Sequence, residues 1–244
     1  MPSTRSRRWV RWLLVTVAAL VVLAVAGPFV YIHFFDGSTP AALSLSPSTS
    51  SSTSASAAGS SQATGTAASA PVTGTWTVGS GSTAGYRVNE VLLGQNATAV
   101  GRTSTISGHL TIAGSAVTAA AFSVPMDTIH SDKSQRDAQF DGRIMDVAQY
   151  PAGTFTLTSP IDLGSLPASG AIKDYTAHGR LTLHGTTRPV TFTLTAELTG
   201  GHIEVAGDIP VLFSDYNIQN PSFAGFVTTQ DHGLLEFLLV LDRA

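Results

Sequence analysis

The sequence predicts an all-β domain, a closed antiparallel barrel of about eight strands with one short helical insertion. It places that barrel behind one transmembrane helix and a disordered stalk. Three observations carry this reading. Apolar residues alternate with threonine over long stretches, most clearly through Val190-Thr191-Phe192-Thr193-Leu194-Thr195-Ala196-Glu197-Leu198. Short glycine turns separate such stretches. The composition also changes abruptly twice before residue 76.

The first part, residues 1–11, is basic. Arg5, Arg7, Arg8 and Arg11 crowd it with no acidic partner. It reads as a cytoplasmic N-terminus. Residues 12–35 contain no Asp, Glu, Lys or Arg. About 20 residues of helix cross the hydrocarbon core, so this stretch is long enough to span. Arginines precede it and Asp36 follows, which by the positive-inside rule puts everything after it outside the cell. Trp9 and Trp12 at one end, with Tyr31, Phe34 and Phe35 at the other, suit the two interfaces. The alternative is a cleaved signal peptide, cut after Ala24-Val25-Ala26, which would release a secreted protein.

Residues 36–75 are almost wholly Ser, Thr, Ala, Gly and Pro. They hold too few large apolar side chains to offset chain entropy, so a disordered linker is expected. As a coil it would span roughly 35 Å. O-glycosylation and a plain spacer both fit it. Asn96-Ala97-Thr98 is a sequon for N-glycosylation.

Residues 76–244 have the mixed composition of a packed domain, with enough chain to bury a core unaided. Strand candidates cover 76–79, 84–93, 104–113, 122–126, 155–158, 172–183, 190–198, 202–212 and 233–243. Thr tolerates the outward positions because its branched Cβ favours extended backbone. Ala113-Gly114-Ser115 and Gly200-Gly201 are short enough for antiparallel hairpins. Residues 134–147 read as the helical insertion, with Phe140, Ile144 and Met145 at helical spacing and Tyr150-Pro151 closing it. Closing the sheet leaves no bare edge.

Composition excludes several functions. The 244 residues include no cysteine, so disulfides, thiol catalysis and thiolate metal sites are ruled out. Residues 76–244 hold 9 Lys/Arg against 15 Asp/Glu, a net charge of −6. An acidic domain without basic runs argues against nucleic acid, whose affinity rests on neutralised phosphates. The domain histidines form no H-x-H, H-x-x-H or H-E-x-x-H, so no metal is expected. Gly79-Ser80-Gly81 with Gly85 misses a dinucleotide fingerprint because a strand, not a helix, follows it. There is neither a nucleophile elbow nor a phosphate loop. No catalytic residue and no cofactor are expected.

Three stretches resemble one family. The first runs Asp127-Thr128-Ile129-His130-Ser131, then Arg136-Asp137, Asp146 and Tyr150-Pro151 with Phe155 after it. The second is Leu181-Thr182-Leu183-His184-Gly185-Thr186-Thr187-Arg188-Pro189-Val190. The third is Phe213-Ser214-Asp215-Tyr216-Asn217-Ile218. With Trp76 opening the first strand, the domain resembles the YceI-like family of lipocalin-like barrels. It departs from that family at Asn217, where Gly is usual, and at 221–229, which reads as a looser insertion. The resemblance implies an extended barrel holding a polyisoprenoid or similar apolar chain, without catalytic residues, in the periplasm or secreted.

The candidate inward, ligand-facing residues are Phe122, Val124, Met126, Phe155, Leu157, Leu181, Leu183, Phe192 and Leu194. The plainer reading of each is packed core. Arg136 and Asp137 are polar candidates near the mouth, where Arg136 could meet a ligand head group such as a phosphate. Their plainer reading is a local ion pair or helix-end contact, and for Arg188 it is a solvated turn. The leading expectation is a membrane-tethered binding protein for a polyisoprenoid, quinone or other lipid, with a homodimer left open. An adhesion or scaffold domain with a filled barrel is the alternative. A hydrolase or isomerase would instead need Asp137, His130 or Asp215 to converge in a pocket.

Overall fold

A computed structural model describes residues 17, 39–45, 72–92, 94–164, 170–222 and 227–244. Thirteen strands form one sheet. They are β1 (Gly74–Val78), β2 (Thr83–Leu92), β3 (Gln95–Thr103), β4 (Ser107–Ala113), β5 (Ala116–Pro125), β6 (His130–Ser131) and β7 (Ala152–Leu157). After them come β8 (Ile161–Asp162), β9 (Lys173–Leu183), β10 (Thr186–Thr199), β11 (His202–Leu212), β12 (Val227–Thr229) and β13 (His232–Arg243). Every pairing is antiparallel.

The sheet closes into an eight-position barrel because two of the positions are broken strands. β13 pairs with β1 at its C-terminal end and with β2 further back, so β1 and β2 form one bent strand. β4 pairs with β1 while β3 pairs with β2, so β3 and β4 form a second. The ring then runs β5, β7, β9, β10, β11 and β13, which returns to β1. Ser82 repairs the first break. Its hydroxyl accepts from the Val240 N–H (2.9 Å) and reaches the Gly79 carbonyl (2.9 Å), replacing ladder bonds that the bend removes. The near-miss glycine motif is therefore a strand corner.

The hairpin turns follow from the glycines. Gly200 and Gly201 have φ of 58° and 89°, the left-handed pair that a two-residue hairpin of matching twist demands. His184 and Gly185 repeat this between β9 and β10, with φ of 47° and 71°. His184 is held in that unusual conformation by its surroundings. Its Nδ1 lies 3.2 Å from the Tyr216 carbonyl and its ring meets Tyr150 edge-on at 4.6 Å. A Cβ at Gly185 would come within 2.4 Å of the Tyr150 ring. Arg188 donates to the Asp215 carbonyl (2.8 Å), tying this hairpin to the 3₁₀ turn Phe213–Tyr216. Asn217 has φ 56° and donates through Nδ2 to Thr186 Oγ1 at 3.0 Å. Asn tolerates that region, so it can stand where the family usually has Gly.

The helical insertion is α1 (Ser134–Gln139) running into a π-helical turn, Phe140–Ile144. It covers less of 134–147 than its apolar spacing predicts. Two other differences lie upstream. β1 starts at Gly74, inside the stretch expected to be linker. Residues 39–45 rest against the barrel, where Arg87 and Arg102 donate to the Pro40 and Ala41 carbonyls. β3 falls between the strands that alternation predicts at 84–93 and 104–113. Its GlnAsnAla-rich composition has low strand propensity, and pairing with β2 overrides that. The expected membrane helix, 12–35, lies outside the described residues except for Val17. Among the described residues no helix is long and apolar enough to cross a membrane.

Candidate functional site: an apolar cavity in two lobes

Alternation along each strand sends every second side chain into the barrel. These side chains do not fill it. A cavity of about 190 Å³ occupies most of the barrel length. A second of about 150 Å³ lies under α1 and the π-helical turn. Gly85, Met126, Ile129, Leu183 and Leu235 border both, so they form the partition between two lobes. A cavity of about 150 Å³ lined by Leu, Ile and Phe is known to stay dry and accept apolar guests.

The long lobe is walled by the residues that alternation singled out. Phe122, Val124, Met126, Phe155, Leu157, Leu181, Leu183, Phe192 and Leu194 all line it. Phe155, Phe192 and Phe237 form a row of edge-on ring contacts, with centroids 5.6 and 5.9 Å apart. Inward-facing glycines make room for these rings. A Cβ at Gly179 would lie 2.2 Å from the Phe155 ring, and one at Gly207 would lie 2.9 Å from Phe237. Gly153 does the same for the partition, where a Cβ would come within 2.8 Å of Met126. Glycine weakens a strand, so its place here marks close packing.

Besides Thr154, two polar side chains line this lobe, the buried Glu197 and Tyr175. The Tyr175 hydroxyl is buried and has no hydrogen-bond partner. Burial raises its pKa, so it remains a protonated donor at neutral pH. An unmet buried donor costs free energy that an acceptor on a guest would recover.

The short lobe has a different wall. Phe140, Ile144 and Met145 close it from the helical insertion, with Val211, Phe213 and Ile218 opposite. Tyr86 stacks on Phe140 at 5.1 Å and 16°. Its hydroxyl is pushed up to about 12, chiefly by burial, with Arg136 opposing that shift. Gly101 gives the ring its space, since a Cβ there would lie 2.4 Å from it.

Arg136 lines the short lobe, but it does not present a free cation. It pairs with Asp132 one turn earlier and lies 3.7 Å from Glu90. Asp137 is not among the residues lining either lobe. Its Oδ1 accepts from the Ser131 N–H (2.8 Å) and hydroxyl (2.6 Å), fastening α1 to β6. His130 lies 3.6 Å from Asp137 and is two-thirds exposed, outside both lobes. Asp215 also lies off the cavity, so the three residues a hydrolase would need do not meet in one pocket. Among the described residues no group of His, Asp and Glu is placed to hold a metal ion.

Sequence reasoning missed Phe237, Tyr175, Tyr86 and the inward glycines. The strand-interior glycines were the available signal.

The YceI-like domain family matches residues 46–241. This chain belongs to the YceI-like family. Its fold is similar to that of a polyisoprenoid binding domain from Saccharophagus degradans, with a TM-score of 0.58 at 16% identity, over 70% of this chain and 99% of that one. Burkholderia cenocepacia BcnA gives a TM-score of 0.49 at 20% identity, over 64% and 95% of the two chains. No curated protein matches the sequence.

Proposed function

We propose that this YceI-like protein is a membrane-tethered, extracytoplasmic carrier for one long apolar molecule with a neutral polar end. The observation that carries this is the unfilled two-lobed cavity, walled by apolar side chains along nearly its whole length. A chain that threads both lobes, such as a polyisoprenoid, a quinone tail or another lipid, matches its shape. The Saccharophagus degradans relative in fold is named for polyisoprenoid binding. The hydrophobic stretch at 12–35, with arginines before it and Asp36 after it, supports a tether that keeps the barrel beside the bilayer supplying the ligand.

The electrostatics select the polar end. The guanidinium in the lining of the short lobe, Arg136, faces Asp132 and Glu90, with Asp137 close by on the same helix. A phosphate brought there would meet more negative charge than positive, so the head group is neutral. Its entry is by the short lobe, since a six-residue helix with no buried side chain is the least secured part of the wall. In the long lobe Tyr175 offers a donor to a carbonyl, ether or hydroxyl.

The test is native mass spectrometry of the full chain, purified from a bacterial membrane fraction in a detergent of known mass. The expected result is a species heavier than the polypeptide by one apolar molecule, extractable into organic solvent. Repeated recovery of the bare polypeptide, with no uptake of neutral isoprenoids, would overturn the proposal.

A further inference from the structure

The outer wall carries a charged cluster that the cavity does not use. Tyr86 and Val88 face the short lobe, so Arg87 between them faces outward. Leu235 and Phe237 face inward, so Glu236 faces outward too. Arg102, beside the inward Gly101, completes the set. An outward carboxylate on a barrel is ordinarily in water. Glu236 is instead only 4% exposed. It accepts from Arg87 Nε at 2.5 Å and from Arg102 at 3.0 Å.

The register explains how both arginines reach it. Glu236 pairs with Gly85, and Gly85 pairs with Arg102, so the three lie in one row across the sheet. A side chain at Gly85 would stand between the charges and its Cβ would strike the Gly101 carbonyl at 1.9 Å. Two cations on one carboxylate leave N–H groups over. They go to the chain upstream. Arg87 Nη2 donates to the Pro40 carbonyl (2.8 Å) and Arg102 Nη2 to the Ala41 carbonyl (2.5 Å). Leu43 and Leu45 are half-buried while Ala42 and Ser44 are exposed, the alternation of an extended segment lying on a wall.

We infer that residues 39–45 are a docking strap, and that the Arg87–Glu236–Arg102 cluster is its receptor on the barrel. Charge-assisted bonds to carbonyls fix the strap's backbone without demanding particular side chains. The consequence for the membrane rests on the proposed tether. Four residue steps separate Phe35 from Thr39, a reach of about 14 Å at full extension. The β2–β3–β13 wall would therefore sit close to the bilayer in one orientation, where a free stalk would let the barrel wander over roughly 35 Å.

The absence of native cysteine makes a direct test clean. Spin labels are placed at Ala42→Cys and Asn89→Cys in the full chain, and their separation is read by pulsed electron resonance. Docking gives one short, narrow distance. Leu43→Ser with Leu45→Ser, which leaves the barrel untouched, shifts it to a long, broad distribution. Arg87→Ala with Arg102→Ala does the same wherever circular dichroism shows an intact barrel. A broad distribution in the unaltered strap, or a narrow one that survives both pairs of substitutions, overturns the inference. A dye at Asn89→Cys then reports energy transfer to headgroup-labelled lipid in vesicles. A docked strap without such transfer would leave the strap standing and contradict the tether instead.

Discussion

The two lobes share a wall yet are built by different means. The long lobe is enclosed by paired strands, and its rings are braced by one another and by glycines that yield space. The short lobe is enclosed by a helix of six residues, a π-helical turn and a loop. The first wall is cooperative, because no strand can leave without breaking ladders on both sides. The second is not locked by ladders on both sides, the kind of wall that opens first. The proposed carrier would use both, one part to hold the chain and one to admit it.

The comparison breaks most sharply at the partition. Leu183→Trp places an indole where the lobes join. A long isoprenoid is then expected to bind at least 100-fold more weakly, by fluorescence titration, while a short apolar probe still enters the long lobe. Overpacking costs about 1–3 kcal/mol, which a barrel of this size tolerates. Equal loss of both ligands would mean that the lobes are not joined in function.

Phe192→Ala tests the long lobe's own wall. Phe192 touches both neighbouring rings of the aromatic row. Its removal should cost about 3–5 kcal/mol in denaturant unfolding. Phe140→Ala in the short lobe should cost less, because fewer ladders depend on it.

Tyr86 gives the short lobe a pH signature. Its hydroxyl ionises near 12 in the folded chain and near 10 when unfolded. Stability is therefore complete below pH 10 and declines as pH rises towards 12, by roughly 3 kcal/mol. Tyr86→Phe should flatten that decline, as read from melting temperature against pH.

The smallest expected effect belongs to Tyr175. Removing an unmet donor should stabilise the empty protein, so Tyr175→Phe raises unfolding free energy by about 1 kcal/mol. The same change should weaken a ligand bearing a carbonyl several-fold and leave a pure hydrocarbon unaffected.

Much of the long lobe was legible in the sequence, and the reason is parity. In β5, β7, β9 and β10 threonine or another small or polar residue alternates with large apolar ones, so the inward set can be read without knowing the fold. β13 defeats that rule. Its run from Leu234 to Leu241 is apolar on both faces, and only Glu236 marks the outer one. Phe237 could not be assigned to the cavity until pairing was known. The short lobe was less legible, because its wall comes from segments distant in sequence and no period links them. Arg136 and Asp137 stand side by side in the sequence, yet the fold turns one towards the lobe and uses the other to fasten α1. The strap was invisible for a similar reason. Its receptor is assembled by register across three strands, and its own contribution is backbone carbonyls, which no composition reveals.

The most direct test of the central claim is an experimental density map of the full chain, purified without added lipid. The account predicts continuous elongated density running from the row of Phe155, Phe192 and Phe237, past Met126 and Leu183, to the stacked Tyr86 and Phe140. Density for side chains alone, with Met126 and Leu183 closed over a collapsed interior, would contradict it.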